Sequence, residues 1–360
     1  RIYGQGGADQ MFGGDGNDLL YGGAGANVIH GEAGGDTIYW GADAENIDGG
    51  ADVDTLNYYT AASVQVFLDG SGTNAGAAAG DTIANIENVV GSLTGADRIV
   101  GDGASNRLYG YGGSDTLEGK DGNDYLNGGE GDDFLYGGAG DDLFYSGPGA
   151  DRFDGGADTD MVTYVLATSG LQVYLDGSGT NTGAATGDTF FFIENLSGSN
   201  YIDRLSGDAN ANKLYGNNGN DVLVGLGGAD MLYGGNGDDR LSGGGGTDTM
   251  VGGAGADSFL FYVALNIAGS DRISDFVHGV DKLEIDASEF GGGLVGGGSV
   301  QLVAGATPSS AGFASGVFLY DTDNGYLSFD VNGQAAGGAT VFARLSGAPT
   351  LTTGDFVVVA

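Results

Sequence analysis

A nine-residue repeat constrains the fold of this chain more than any other feature of its sequence. The clearest run lies between Gly119 and Leu143, where Gly-Lys-Asp-Gly-Asn-Asp-Tyr-Leu-Asn precedes Gly-Gly-Glu-Gly-Asp-Asp-Phe-Leu-Tyr. The first six residues of each copy are rich in glycine and end in aspartate, and an apolar residue follows at position eight. Glycine permits the left-handed backbone of a tight turn, and a short apolar segment suits a strand that points one side chain inward. The pattern therefore predicts short strands joined by glycine-rich turns.

Aspartate occupies the sixth position of most repeats, and its carboxylate is a hard oxygen ligand of the kind that Ca²⁺ prefers. The acids recur at one fixed phase, which favours metal ligation over a merely solvated acidic surface. The candidate metal ligands are Asp9, Asp18, Asp36, Asp54, Asp97, Asp115, Asp124, Asp133, Asp142, Asp151, Asp160, Asp203, Asp221, Asp230, Asp239, Asp248 and Asp257. The turn glycines predicted to complete these sites are Gly119, Gly128, Gly137, Gly225 and Gly234.

The repeated Gly-Gly-x-Gly-x-Asp-x-apolar-x pattern resembles that of the hemolysin-type, or RTX, calcium-binding repeat family. The resemblance implies an all-β fold, a right-handed parallel β-roll or β-solenoid that binds multiple Ca²⁺ ions. In such a roll two nonapeptides complete one coil, so turns two repeats apart stack on the same edge. In the first block this separates Asp9, Asn27 and Glu45 from a second column of Asp18, Asp36 and Asp54. Because the first column contains asparagine and a degraded repeat, we expect better calcium sites in the second.

Interruptions of the nine-residue period divide the chain into six segments. We predict a first β-roll block at 1–57, an irregular β insert at 58–96, a second block at 97–163, a second insert at 164–202, a third block at 203–260 and a C-terminal β-rich cap at 261–360. The inserts are duplicates, because Leu68-Asp-Gly-Ser-Gly-Thr-Asn74 recurs from Leu175. Their apolar segments are too short for a core of their own, so we favour irregular parts of one solenoid over separate linker domains. For Asp81 and Asp188 in the inserts, a turn role is favoured over ion binding.

The formal net charge of −38 argues against nucleic acid and against anionic membrane surfaces as partners, and it fits a multivalent cation. No apolar run approaches the roughly 18 residues that a membrane helix needs, so no membrane insertion is expected. The chain has no cysteine and only two histidines, which removes thiolate metal sites and makes a zinc cluster improbable.

The C-terminal segment carries a second resemblance. Residues 270–286 resemble the segment that follows the roll in serralysin-type secreted proteases, and Gly354-Asp-Phe-Val-Val-Val-Ala360 resembles the C-terminal signal of type I secretion substrates. These similarities imply the type I secretion machinery as a partner. Between them, Asp321-Thr-Asp-Asn-Gly325 predicts a hairpin turn. An EF-hand is the weaker alternative, since Gly325 comes one place early and Asn332 stands where a bidentate glutamate is needed.

Catalytic motifs such as His-Glu-x-x-His, Gly-x-Ser-x-Gly and the phosphate loop are absent from the sequence, so these residues are not expected to form an enzyme. The chain begins inside a repeat, which predicts a fragment of a longer protein whose catalytic domain could lie upstream.

The sequence is consistent with two functions. One is a calcium-triggered folding module of a secreted bacterial exoprotein. The other is a surface-layer or adhesin-like scaffold that assembles with itself or binds cell-surface polysaccharide. Tyrosines at the ninth position could stack on sugars, although packing along the roll is favoured; they are Tyr21, Tyr109, Tyr136, Tyr215 and Tyr233. Both functions place the chain outside the cell or on its surface.

Overall fold

The computed structural model describes residues 1–262, 270–313, 315–332 and 339–360. They form two compact units, Arg1–Leu166 with Ala184–Ile193 and Ala167–Gly183 with Glu194–Ala360. Nearly all regular structure in these ranges is β, which confirms the predicted fold class. The described helices are short: one α-helix at Ala287–Phe290 and two 3₁₀ helices at Gly183–Ala185 and Thr353–Asp355.

Within the repeat blocks of the first unit, strands alternate along the chain between two faces of a parallel solenoid. One face consists of β1 (Ile2–Tyr3), β3 (Leu19–Tyr21), β5 (Thr37–Tyr39), β7 (Thr55–Asn57), β11 (Asn88–Val90), β13 (Arg107–Gly112), β15 (Tyr125–Glu130), β17 (Leu143–Tyr145) and β19 (Met161–Thr163). The opposite face begins with a four-stranded sheet of β2 (Gln10–Asp15), β4 (Val28–Ala33), β6 (Asn46–Ala51) and β10 (Thr82–Ala84). It continues in a seven-stranded sheet of β8 (Val64–Phe67), β9 (Ala75–Gly76), β12 (Arg98–Val100), β14 (Thr116–Asp121), β16 (Phe134–Ala139), β18 (Arg152–Ala157) and β21 (Thr189–Phe191).

The second unit repeats this arrangement and ends in a mixed sheet. One face joins β22 (Asn195–Ser197), β24 (Lys213–Asn218), β26 (Met231–Asn236), β28 (Thr249–Ala254) and β30 (Asp271–Ile273), followed by β35 (Ala339–Leu345), β34 (Tyr326–Asp330), β33 (Val317–Asp321) and β32 (Leu302–Gly305). The other face consists of β20 (Gln172–Tyr174), β23 (Arg204–Ser206), β25 (Val222–Gly228), β27 (Arg240–Gly246), β29 (Ser258–Phe261), β31 (Lys282–Asp286) and β36 (Phe356–Val359).

The pairing register is one coil of eighteen residues within each block. Leu108 pairs with Leu126 on one face, and Leu117 pairs with Leu135 on the other. Two nonapeptides therefore complete each coil, as the resemblance implied. Apolar residues at the eighth position form the core between the two faces, and those of the second block are at most 1% exposed. Within each block the same side-chain phase thus builds a continuous apolar core between the two faces.

Strands of the first insert join the parallel sheets of the roll. Val64–Phe67 pairs with Arg98–Val100, and Thr82–Ala84 pairs with Asn46–Ala51. Each pairing replaces the eighteen-residue step with a longer excursion of the chain but keeps the parallel direction. In the second insert, Thr189–Phe191 pairs in the same way with Arg152–Ala157.

The C-terminal cap contains the predicted hairpin. Val317 pairs with Asp330 and Tyr320 with Leu327 in antiparallel register, which confirms the hairpin around Asp321–Gly325. The last strand of the cap, β36, pairs in parallel with β31. None of the described helices has both the length and the apolar character that a membrane span requires.

Candidate metal centre

The sixth-position acids stack into columns along the edges of the roll. In each step one carboxylate oxygen, Oδ1, accepts the backbone N–H of the equivalent residue one coil earlier. Asp133 accepts from Asp115 at 2.8 Å, and Asp142 accepts from Asp124 at 2.8 Å. We call these stacks acid columns. In the second block they run through Asp97, Asp115, Asp133 and Asp151 and through Asn106, Asp124, Asp142 and Asp160.

The third block holds the same two acid columns. They run through Asp203, Asp221, Asp239 and Asp257 and through Asn212, Asp230 and Asp248. The first block stacks Asp18, Asp36 and Asp54 in one column, and Asp9 on Asn27 in the other. Every predicted ligand aspartate except Asp9 and Asp18 is buried.

Many of these carboxylates have a second oxygen, Oδ2, that is buried and accepts no hydrogen bond from the described residues. A buried acceptor without a partner carries a desolvation cost of about 1–3 kcal/mol, and more when it is charged. An array of such atoms is therefore unfavourable unless a cation faces it. We call these residues the open carboxylates: Asp9, Asp36, Asp54, Asp115, Asp124, Asp133, Asp142, Asp221, Asp230, Asp239 and Asp248.

The first glycine of each turn makes room for the open oxygen. A Cβ on Gly119 would overlap Asp124 Oδ2 and would lie 2.7 Å from the carbonyl oxygen of Gly137, one coil further on. The other predicted turn glycines repeat this geometry: Gly128 with Asp133, Gly137 with Asp142, Gly225 with Asp230, and Gly234 with Asp239. Each turn thus leaves a small space bordered by a carboxylate oxygen, and in the turns of Gly119, Gly137, Gly225 and Gly234 also by a carbonyl oxygen of the following coil.

Burial raises the pKa of several acids in the columns of the second and third blocks. The pKa of Asp115 and of Asp142 rises to about 7, and that of Asp124 and of Asp133 to about 6, chiefly through desolvation. The hydrogen bond from the preceding backbone N–H opposes the shift in each case. For Asp221 the pKa also reaches about 7, with neighbouring acids of its column adding to the effect of burial. A cation beside these groups would remove the cost of holding them ionised.

The donor set fits Ca²⁺. Within the described residues, no group of three or more His, Cys, Asp or Glu side chains converges on one point, so each ion would depend on one or two carboxylates and on backbone carbonyls. Calcium takes six to eight oxygen ligands in flexible geometry and accepts such a mixture, whereas zinc prefers nitrogen and sulfur. The open carboxylates and turn glycines are therefore the residues that would hold the ion.

Other sixth-position residues are already satisfied by hydrogen bonds. Asn106 Nδ2 donates to the Glu87 carbonyl, and Asn212 Nδ2 donates in the same way to the Glu194 carbonyl. In the first block Asn27 donates to Glu45 at 3.1 Å, and burial raises the pKa of Glu45 to about 7. Asp36 and Asp54 in the opposite column are open. Asp9 of the first column is open as well, so the better calcium sites expected in the second column stay a prediction.

Five acids from outside the regular repeats join the columns. Asp81 and Glu87 accept the N–H groups of Glu45 and Asp54 at 2.8 Å each, and Asp188 accepts that of Asp151 at 2.9 Å. Asp271 and Asp281 of the cap accept those of Asp248 and Asp257 at 3.1 Å each. The nine-residue spacing could not find them, because loops of different length precede each one. Duplicated motifs of the inserts were a signal for three of them: Gly-Asp-Thr contains Asp81 and Asp188, and Ile86-Glu-Asn88, which recurs from Ile193, contains Glu87.

Comparison with known proteins finds similar solved structures and one matching sequence family. A search of curated protein sequences finds no match. Among solved structures, the chain is similar to the R3 subunit of the mannuronan C5-epimerase AlgE6 of Azotobacter vinelandii, at 27% identity over 44% of this chain and 78% of that one, with a TM-score of 0.22. It is also similar to the extracellular lipase LipA of Serratia marcescens, at 19% identity over 73% of this chain and 40% of the lipase, with a TM-score of 0.19.

The family described as "RTX calcium-binding nonapeptide repeat (4 copies)" matches residues 3–38, 21–56, 93–126, 127–162, 197–232 and 224–259. These matches fall on the three repeat blocks and leave out most of each insert and the C-terminal cap. Together they cover more than half of the chain. With its parallel roll and its stacked carboxylates, the chain belongs to the RTX family of calcium-binding nonapeptide repeat proteins.

Proposed function

We propose that this chain is the calcium-binding region of a secreted bacterial protein and that it folds when it meets extracellular Ca²⁺. The observation that carries the proposal is the array of open carboxylates, whose buried Oδ2 atoms accept no hydrogen bond from the residues that the structure describes. Without a cation, folding must bury these charges or protonate them, and it must also order a chain that contains 77 glycines. With a cation, the binding free energy becomes folding free energy.

Calcium-coupled folding suits export. The cytosol holds little free calcium, so the chain would remain extended until it left the cell, and folding outside would prevent its return. The candidate export signal Gly354–Ala360 contains strand β36, which pairs with β31 in the folded chain. A signal that forms part of a sheet is exposed only before folding, so recognition by type I secretion machinery would precede calcium binding. The stability of a larger exoprotein would then depend on the loaded roll.

Circular dichroism with and without calcium tests the proposal. The chain stripped with a chelator should lose most of its β signal, and added Ca²⁺ should restore it cooperatively, whereas the same concentration of Mg²⁺ should restore little. Magnesium is the matched control because it has the same charge but demands near-octahedral coordination and retains its waters. A chelated chain that keeps its full β signal would contradict the proposal.

A structural role at the cell surface is the second candidate function. The observation that favours it is a row of stacked tyrosines, Tyr3, Tyr21 and Tyr39, with ring centroids 4.6 and 4.3 Å apart. Tyr215 and Tyr233 stack in the same way at 4.9 Å. Such rows offer flat aromatic surface to a sugar polymer or to a second copy of the chain. Sedimentation of the calcium-loaded chain alone and with soluble polysaccharide separates the two candidates, since a module that acts only in secretion remains monomeric and binds neither.

A further inference from the structure

Each insert supplies a carboxylate that differs from the open carboxylates in having both oxygens hydrogen-bonded. In the first insert, Asp81 Oδ1 accepts the Glu45 N–H at 2.8 Å, and Asp81 Oδ2 accepts the Tyr58 hydroxyl at 3.2 Å. The Tyr58 side chain is fully buried. Its hydroxyl therefore contacts the oxygen that, in the open carboxylates, accepts no hydrogen bond from the described part of the chain.

The second insert reproduces this arrangement. Asp188 Oδ1 accepts the Asp151 N–H at 2.9 Å, and Asp188 Oδ2 accepts the Tyr164 hydroxyl at 2.6 Å. Ser146 Oγ donates to the same oxygen at 3.3 Å, and Tyr164 is fully buried. Two copies of the insert thus close the end of an acid column with the same tyrosine–aspartate pair.

Where the roll resumes after each insert, serine closes the first carboxylate of the next column. Asp97 Oδ2 accepts the Ser92 N–H at 2.6 Å, while its Oδ1 accepts the Ser92 hydroxyl at 3.0 Å. Asp203 has the same contacts with Ser199, at 2.6 and 2.9 Å. Neither Asp97 nor Asp203 belongs to the open carboxylates, although the repeat phase alone makes both of them candidate ligands.

Hydrogen bonds and a calcium ion are alternative ways to stabilise a buried carboxylate. An ionised carboxylate that accepts neutral donors on both oxygens is stabilised without a counter-ion and has less to gain from a metal. The open carboxylates lack such donors and gain from a cation. The hydrogen-bond pattern therefore divides the acids of one column into two kinds.

We propose that Asp81, Asp97, Asp188 and Asp203 are closed carboxylates, held by Tyr58, Ser92, Tyr164 and Ser199 in place of calcium. The ions bind at the open carboxylates of the three repeat blocks and not at these four acids. This inference rests on the proposed calcium-dependent function and specifies which acids bind the ions. Its consequence is that each insert interrupts the row of ions, so the ions bind in separate groups. The inserts complete the β-roll without requiring a metal.

The open Oδ2 of Asp248 points to a further calcium ligand outside the nonapeptide repeats. Asp248 is fully buried, its Oδ2 is open, and this oxygen would overlap a Cβ on Gly243. The next acid in its column is Asp271, which is 8% exposed and accepts the Asp248 N–H at 3.1 Å. No tyrosine or serine hydroxyl of the described residues donates to Asp271. The structure therefore assigns Asp271 to a calcium site between the last repeat and the cap.

Counting bound calcium in the full chain tests both assignments. Equilibrium dialysis followed by metal analysis compares the parent with D81N, D188N, D133N and D271N. The D81N and D188N variants should bind as many ions as the parent, whereas D133N and D271N should each bind at least one fewer. An ion lost in D81N or D188N overturns the closed assignment, and an unchanged count in D271N overturns the site at the cap.

Crystals of the parent chain grown with Ca²⁺ keep the inference falsifiable if a variant fails to fold. Anomalous scattering should place ions about 2.4 Å from the open carboxylates and Asp271, a distance typical of calcium. A peak at that distance from any closed carboxylate would overturn the inference. Calcium at open and closed carboxylates alike would leave the proposed function intact, whereas no bound calcium anywhere would overturn the function as well.

Discussion

The two oxygens of each repeat aspartate have different roles. Oδ1 accepts a backbone N–H from the preceding coil and fixes the stacking distance, whereas Oδ2 faces the space above a turn glycine. A single residue type therefore serves both the fold and the proposed metal site. Substitution by asparagine separates these roles, because the amide keeps one acceptor oxygen but carries no charge.

Asp133 is the residue at which this separation is best measured. We expect D133N to keep the parallel fold in excess calcium and to raise the calcium midpoint about tenfold, equivalent to about 1.4 kcal/mol. Calcium titration followed by circular dichroism gives the midpoint. E130Q is the matched control, since Glu130 lies in the same turn and loses the same charge but is exposed. Equal shifts in both variants would show that net charge, and not ligation, sets the midpoint.

A turn glycine should tolerate no side chain beside an open oxygen. G119A places a Cβ against Asp124 Oδ2 and the Gly137 carbonyl, so we expect a loss of unfolding free energy in the overpacking range of about 1–3 kcal/mol. G103A is the control, because a Cβ on Gly103 would meet no atom within 4 Å. Denaturant unfolding in saturating calcium compares them, and similar midpoints for both variants would contradict the proposed role of the glycine.

Among the secondary-structure elements, the hydrogen bonds within an acidic loop distinguish a calcium site from a plain turn. Both carboxylate oxygens of Asp321 accept hydrogen bonds from within the hairpin loop between β33 and β34. Oδ1 accepts one from the Asp323 N–H at 2.9 Å, and Oδ2 accepts one from Asn324 Nδ2 at 2.8 Å. The EF-hand alternative for this segment thus loses its first ligand to the turn itself.

The hairpin loop should therefore bind no calcium. We expect D323N to leave both the number of bound ions and the calcium midpoint unchanged, because Asp323 is exposed and its backbone N–H, not its carboxylate, makes the contact with Asp321. Calorimetric titration of this variant beside the parent is the measurement. One ion fewer in D323N would restore the EF-hand interpretation.

For the whole molecule, the raised pKa values make the stability of the calcium-free chain depend on pH. In the calcium-free chain, an aspartate with a pKa of 3.8 when unfolded and of about 7 when folded, such as Asp115 or Asp221, binds its proton more tightly in the fold. Stability is then full below about pH 4 and is lost as the pH rises towards about 7. Burial also tends to raise the pKa of Asp355, but hydrogen bonds from Thr352, Gly279 and His278 outweigh it and lower the pKa, so this residue makes a smaller contribution of opposite sign.

This linkage gives a prediction for the intact chain. Chelated protein should regain β structure on acidification from pH 7 to about pH 4, and the apparent calcium affinity should fall over the same range because protons and calcium compete for the open carboxylates. Circular dichroism across pH, with chelator and with calcium, measures both effects. A chelated chain that is more folded at pH 7 than at about pH 4 would contradict the assignment of these acids as buried ligands.

The sequence by itself determined the repeat, the family and the parallel roll. Its nine-residue period places Leu108 and Leu126 in one core column and assigns each aspartate to an edge, because a fixed period fixes which residues stack. The sequence also determined the hairpin around Asp321, because a hairpin depends only on its turn residues and on the short strands beside them.

Only the tertiary structure decided which carboxylates are open. Asp97 and Asp133 occupy the same phase of the repeat, yet Ser92 closes the first, while Oδ2 of the second accepts no hydrogen bond from any described residue. Likewise, Asp271 and Asp81 enter the columns from outside the period. Hydrogen bonds between distant segments set these differences, and their geometry depends on how each insert folds back onto the roll. A periodic pattern specifies what repeats along a solenoid, but the ends of each column depend on contacts that occur only once.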